Sequence, residues 1–329
     1  MALPSSIIQG SIIKASDYNE VRAAIIKIFG NGEGTFGYGQ NLLSQPVVAG
    51  ETTIDNSHLA SILTESLKIA THAGVQNSPF IQLLPDALSL EGLLIDNDHL
   101  NTFINLIPTL EANRFELGDA SQYTTESFIP DISQTRTSGW GYSRNPSIKH
   151  AFTIDFGTSN RARYFFNAGG SIRFSGSRTG GSNTSQNRFW TSLLQTMGEV
   201  VFNYNNCRGT TGTSFNKGFY QLTRDDQIVY TRDGSGVYNT YRYSANDYTI
   251  TASCDVRDNS MGGARYVNFT CYFNDDHFRP RLISDQVDGT LIHTVRLRRA
   301  TGVNVEVLAP IARTTISLDA GGTYYVEAQ

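Results

Sequence analysis

The sequence predicts an α+β protein: a small helical array over residues 1–118, a linker over 119–150, and a mainly antiparallel β-sandwich over 151–329. Three observations carry that division. The first part holds five Lys/Arg against twelve Asp/Glu, whereas residues 119–329 hold 21 against 18. Aromatic residues split the other way, seven against 29, and aromatic enrichment favours strands. The spacing of apolar residues also changes, from three and four residues in the first part to strict alternation in the second.

In the first part, Tyr18, Val21, Ile25, Ile28 and Phe29 mark one buried helical face. Asp17 and Glu20 make an acidic start for this helix, and Gly30 stops it. A second helix is expected from about Ser57 to Gly74 on Leu59, Ile62, Leu63, Leu67 and Ile69. A third is expected from about Asp98 on Leu100, Phe103, Ile104, Ile107 and Leu110, with Pro108 kinking or ending it. Thr53-Ile54-Asp55-Asn56-Ser57-His58-Leu59 returns as Leu94-Ile95-Asp96-Asn97-Asp98-His99-Leu100, and Lys14 to Asn19 is a weaker third match. Such repetition suggests a helical array whose faces are buried by stacking.

In the second part, alternation marks Phe152–Phe156, Ile172–Phe174, Val200–Tyr204, Tyr248–Cys254, Val267–Phe273, Leu291–Leu297 and Val303–Val307. Gly-rich clusters at 168–170, 178–183, 232–236 and 261–263 separate these runs as turns. One helix interrupts them, with Phe189, Trp190, Leu193, Leu194 and Met197 on its apolar face and Gly198 at its end.

The totals exclude several classes. A net charge of -4 and pI of 5.9 give no bulk attraction to nucleic acid or anionic membrane. The sequence shows no basic-then-apolar leader and nothing near the ~20 apolar residues that a membrane span needs. Cys207, Cys254 and Cys271 have no C-x-x-C spacing and are expected as free thiols, so neither metal nor cofactor is expected.

The motifs point to no reaction. Gly32-Glu33-Gly34-Thr35-Phe36-Gly37 matches G-x-G-x-x-G, but it follows a helix instead of a strand and is expected to be a cap and loop. Asp275, Asp276 and His277 offer oxygen and imidazole ligands that are also ordinary loop chemistry. Asp225, Asp226, Asp255 and Asp258 sit where solvated turns are expected. No catalytic residue is assigned and the chain is expected not to be an enzyme. Basic residues of the second part are Arg except Lys149 and Lys217; Arg298-Arg299 and Arg161-x-Arg163 suit protein interfaces better than nucleic acid. Tyr238, Tyr241, Tyr243 and Tyr248, near Asn239, Asn246 and Asp247, are the candidate glycan or interface contacts. The same spacing also fits cross-strand Tyr pairs of a hairpin, the reading favoured here.

Two blocks resemble a known family. Ile12-Ile13-Lys14-Ala15-Ser16-Asp17-Tyr18-Asn19, a helix, and Gly30 to Gln40 are similar to the N-terminal segments of virion structural proteins of tailed bacteriophages, those of cyanophages and other aquatic phages in particular. Ile54 to Leu63 matches the helix that continues them. Ala162 to Ser175, followed by Asn/Ser-rich chain and Trp190, Leu193, Leu194, Met197 and Gly198, is similar to a second block of that family, in the same order. The two blocks cover about a third of the chain. The repeat at 94–100 has no counterpart there.

The resemblance implies a structural component of the particle in the tail, neck, baseplate or fibre apparatus, made in the host cytoplasm. Its implied partners are copies of itself, as a trimer or ring, and other virion proteins. It implies no catalytic residues, no nucleic acid and no membrane insertion. The alternative is a carbohydrate-binding module of a fibre that attaches to a host surface glycan.

Overall fold

The protein is α+β in a computed structural model that describes residues 13–50, 54–75, 97–141, 147–240, 242–275 and 286–321. The chain forms two compact units. Unit 1 comprises residues 1–124, 163–170 and 299–308, and unit 2 comprises 125–162, 171–298 and 309–329. The stretch 119–150, expected as a linker, carries regular structure: β1 (Tyr123–Ser127), β2 (Gln134–Arg136) and the start of β3 (Ser147–Asp155).

Unit 1 is built on α1 (Ala15–Phe29), α2 (Asn56–His72) and α3 (Asn97–Ala112), and α1 packs against both of the others. The expected apolar face of α1 is the buried one. Its start lies earlier than expected: Lys14 is the cap, and Asp17 accepts the Lys14 backbone N–H at 3.2 Å. Asp55 caps α2 by accepting the N–H groups of Ser57 and His58. α3 runs through Pro108 as one helix instead of ending there. Pro108 is exposed, so the carbonyl that a proline frees one turn back can turn towards water. The second copy of the repeat begins at Leu94, and Leu94 to Asp96 lie outside the described residues.

Unit 2 holds two antiparallel sheets. The first has the order β1, β11 (Thr290–Ala300), β4 (Ser171–Thr179), β5 (Val200–Phe202) and β6 (Cys207–Arg208), with β2 also paired to β11. The second has the order β12 (Ile311–Gly321), β3, β10 (Tyr266–Asn274), β9 (Asp247–Cys254), β8 (Gln227–Asp233) and β7 (Thr213–Ser214). Both are open six-stranded sheets and not a closed sandwich. Rings from the two sheets meet between them. Phe269 of β10 lies 5.3 Å from Phe174 of β4 and 5.0 Å from Phe202 of β5, and Phe152 of β3 lies 6.2 Å from Phe174.

Two helices belong to this part of the chain. α4 (Ser159–Asn167) begins in unit 2 and continues into unit 1. α5 (Ser185–Met197) starts on its Thr184 cap and packs on β4, where Leu194 lies so close to Gly176 that an added Cβ would sit 2.7 Å from it. Trp190 of α5 reaches Trp140 at 4.7 Å and Phe273 at 6.2 Å.

The run Val303–Val307 is not a strand. It is a turn closed by the Thr301–Glu306 bridge, with Val303 95% exposed and Val305 buried. Only Val305 and Val307 are buried, on either side of exposed Glu306, so part of the alternation arises without a partner strand.

Phe269 is 1% exposed and touches rings of both sheets. Phe269→Ala is therefore expected to cost about 3–5 kcal/mol, the range for an emptied aromatic site, measured as the loss of unfolding free energy in urea.

Candidate interaction site

The site lies in unit 1, where the chain leaves α1. Tyr38, Gly39 and Gln40 donate their backbone N–H groups to the carbonyls of Ile28, Gly30 and Phe29 at 2.8–3.0 Å, so the loop returns along the helix end and satisfies it. Gly37 makes the fold-back possible: its φ is +98°, and a Cβ there would stand 2.5 Å from the Asn31 carbonyl oxygen. This is the work of the glycine-rich motif. The second half of α4 fastens the same loop. Arg163 donates to the carbonyls of Asn31 and Gly32 at 2.8 and 3.1 Å, and Asn167 donates to that of Gly37 at 3.0 Å.

The following segment is strung between α1 and α2. Asn19 exchanges two hydrogen bonds with the Val47 backbone at 2.8 and 3.1 Å, and Arg22 donates to the Ser44 carbonyl at 2.9 Å. From α2, the buried carboxylate of Glu65 accepts the Leu43 and Ser44 N–H groups at 2.7 and 3.0 Å and the Ser44 hydroxyl at 2.9 Å. A buried carboxylate is tolerable only with its oxygens filled in this way. Below the loop, Tyr38 donates to the Arg114 carbonyl at 2.6 Å; burial raises its hydroxyl pKa far above the ordinary value.

This framework leaves a groove of about 710 Å³. Ala23, Ala24 and Ile26 of α1 and Leu42 give it an apolar floor, and Glu20, Glu33 and Glu111 give it carboxylates. Glu111 is paired with Lys27 at 3.0 Å, and the Lys27 ammonium also sits 3.6 Å from the Phe36 ring centre. Glu20 and Glu33 leave the lining acidic. Leu42, Leu43 and Val48 on the strung segment are 37, 48 and 50% exposed. The arrangement can take a partner with an apolar ridge and positive charge; it contains no nucleophile-and-base pair.

Two of the four candidate tyrosines, Tyr243 and Tyr248, do not reach the surface. Tyr243 is buried, with its ring centre 5.3 Å from that of Phe189, and Tyr248 is buried between the sheets beside Phe273 and His293. Neither can stack on a sugar from solvent. Tyr238 is 41% exposed, with the Arg188 guanidinium 4.8 Å from its ring centre, and Tyr241 lies outside the described residues. Asp275 is buried and bonded to Gln186, while Asp276 and His277 lie outside the described residues. Among the described residues no group of three His, Cys, Asp or Glu could hold a metal. No described helix is long and apolar enough to cross a membrane. All three cysteines are buried free thiols, and burial raises the pKa of each.

Sequence reasoning missed Glu65, Asn19 and Arg22 as the residues that shape the groove. A polar residue on an otherwise buried helical stripe, Glu65 between Leu63 and Ile69, was the available signal. It also missed a second charged cluster, at one end of the second sheet. There the Asp155 carboxylate, 2% exposed, takes Arg265 at 2.8 and 3.0 Å and also Arg313. Arg265, with further help from the Gly157 N–H, holds its pKa below the usual carboxylate range.

No protein-family model matches the chain, and no curated protein or solved structure matches it. The family expectation is corrected on this point. Virion, bacteriophage, tail, tail fibre, neck, baseplate, host attachment and a homo-oligomeric β-sandwich are supplied by no match.

Removing the Glu65 carboxylate strands the buried N–H and hydroxyl of Ser44, each worth about 1–3 kcal/mol, and frees the half-buried Leu43 N–H. Glu65→Ala is expected to lower stability by about 3 kcal/mol and to speed amide hydrogen exchange at Leu43 and Ser44, read by mass spectrometry, before it affects unit 2.

Proposed function

We propose that this chain is a structural component of a tailed-phage particle that acts through protein–protein assembly. The observation that carries the assembly half is the groove of unit 1, with its apolar floor, acidic lining and three half-exposed aliphatic residues on one bordering segment. Apolar surface of this kind, bordered by charge, is what a protein partner covers. Val303, 95% exposed, and Leu308, 60% exposed, add apolar surface on another segment of the same unit. The particle half rests on the residues of the two blocks, Ile12 to Gln40 and Ala162 to Gly198, and on their order. Both blocks have a structural job: the first closes the end of α1, and the second contributes Arg163 and Asn167, which fasten that closure.

Under this reading the protein works without a catalytic centre, and its place is the particle after synthesis in the host cytoplasm. The carbohydrate-binding alternative keeps Tyr238 of its four residues on the described surface, too little for a sugar platform.

The test is composition. Mass spectrometry of density-purified particles should find the chain at constant ratio to the major particle proteins. Ala24→Trp, which fills the groove, should leave the far-UV spectrum of the isolated protein unchanged and reduce its incorporation at least tenfold. Particles free of the native chain would contradict the proposal, and full incorporation of the Trp variant would remove the groove from it.

A further inference from the structure

The contact between His150 and His293 has a consequence that the assembly reading does not use. His150 lies on β3 of the second sheet and His293 on β11 of the first, and both are 0% exposed. Their Nδ1 atoms are 2.7 Å apart, and His293 Nε2 is 2.9 Å from the Tyr248 hydroxyl on β9. Two ring nitrogens at that distance share a single hydrogen, one nitrogen donating and the other accepting. Cys271 of β10, directly across the strand pair from His150, bears the neighbouring titratable group and interacts with Tyr248. The other rings against the pair are Phe152, Phe174 and Phe273. Among the described residues, the groups in contact with the histidines from β3, β4, β9, β10 and β11 are therefore aromatic, thiol and phenol, and no carboxylate pairs with either ring.

We propose that this histidine pair is an acid-sensitive clasp between the two sheets. A first proton can enter at His150 Nε2, buried with no partner among the described residues, if the shared hydrogen moves to the His150 side. The charge it brings has no counter-ion among these groups. A second proton would put two hydrogens into the 2.7 Å gap, so a doubly protonated pair must come apart. Because one histidine sits on each sheet, separating them opens the aromatic layer.

Burial lowers the pKa of His150 from 6.5 to about 4, and burial together with the His150 charge takes His293 well below 6.5. The unfolded chain therefore binds more protons than the folded one between about pH 6.5 and 4, so stability is full above 6.5 and falls as the pH drops through that window. His72 of unit 1, also lowered to about 4 by burial, adds its own share and stays in place in every protein compared.

The experiment is urea unfolding of the full chain at pH 7.5 and 5.0, for the wild type and for His150→Phe/His293→Leu. Each buried histidine should cost the wild type about 30-fold in its folding constant over that interval, and the double variant should lose about 1000-fold less than the wild type does. Proton-coupled NMR of the histidine Cε1 sites in the wild type serves even where the variant fails to fold. The resonances of His150 and His293, assigned by their loss in the single variants and so told apart from that of His72, should stay neutral down to the acid transition and titrate only as near-UV circular dichroism is lost. Equal pH dependence in the two proteins would overturn the proposal, as would titration of both histidines near pH 6.5 with the near-UV spectrum intact.

Discussion

Burial of aromatic rings between two open sheets is the constraint on which unit 2 depends. An open sheet has a face to cover: β3 and the first half of β10 alternate a buried residue with a more exposed one, and β9 is buried on both faces after its first residue. Phe152, Phe174, Phe202 and Phe269 close that layer with centre-to-centre distances of 5.0–6.2 Å, the range in which tilted and edge-on rings attract. Placing His150, His293 and Tyr248 in the same layer gives it polar contacts that stay neutral at ordinary pH. The chemistry of the interior thus follows from its packing, and so does its sensitivity to acid.

Unit 1 solves a different problem. Three helices of 15 to 17 residues cover one another's apolar stripes but leave helix ends and a returning chain to satisfy. The chain after α1 does this by turning back on its own helix end and then running between α1 and α2, held by Asn19, Arg22 and Glu65. The groove is the space left beside that segment. Its acidity comes from Glu20 and Glu33, in the part of the sequence whose charge is most negative.

The sequence made much of this legible where a single period ran long enough. The apolar faces of α1 and α5 and the inward residues of β9, β10 and β11 lie where their spacing puts them. β12 stayed hidden because register shifts after Ala312 and Ile316 break its period of two. β1, β2, β6 and β7 are at most five residues long, too short to show a period. α4 carries Ala162, Phe165 and Phe166 at helical spacing, but over nine residues interrupted by two arginines. For the tyrosine group the difficulty is of another kind: clustering in sequence says nothing about side, and β9 turns Tyr248 inward. Glu65 and Asp155 escaped notice because a carboxylate in the sequence does not declare that backbone and guanidinium donors will enclose it.

Joined by the aromatic layer between them, the two sheets should unfold as one cooperative body. Native-state hydrogen exchange at pH 7 in rising urea tests it directly. Amides of β3, β9 and β10 in one sheet and of β4 and β11 in the other should exchange slowest and converge on the same opening free energy, that of global unfolding. Opening of β4 and β11 at a free energy well below that of β3, β9 and β10 would instead show two independent sheets.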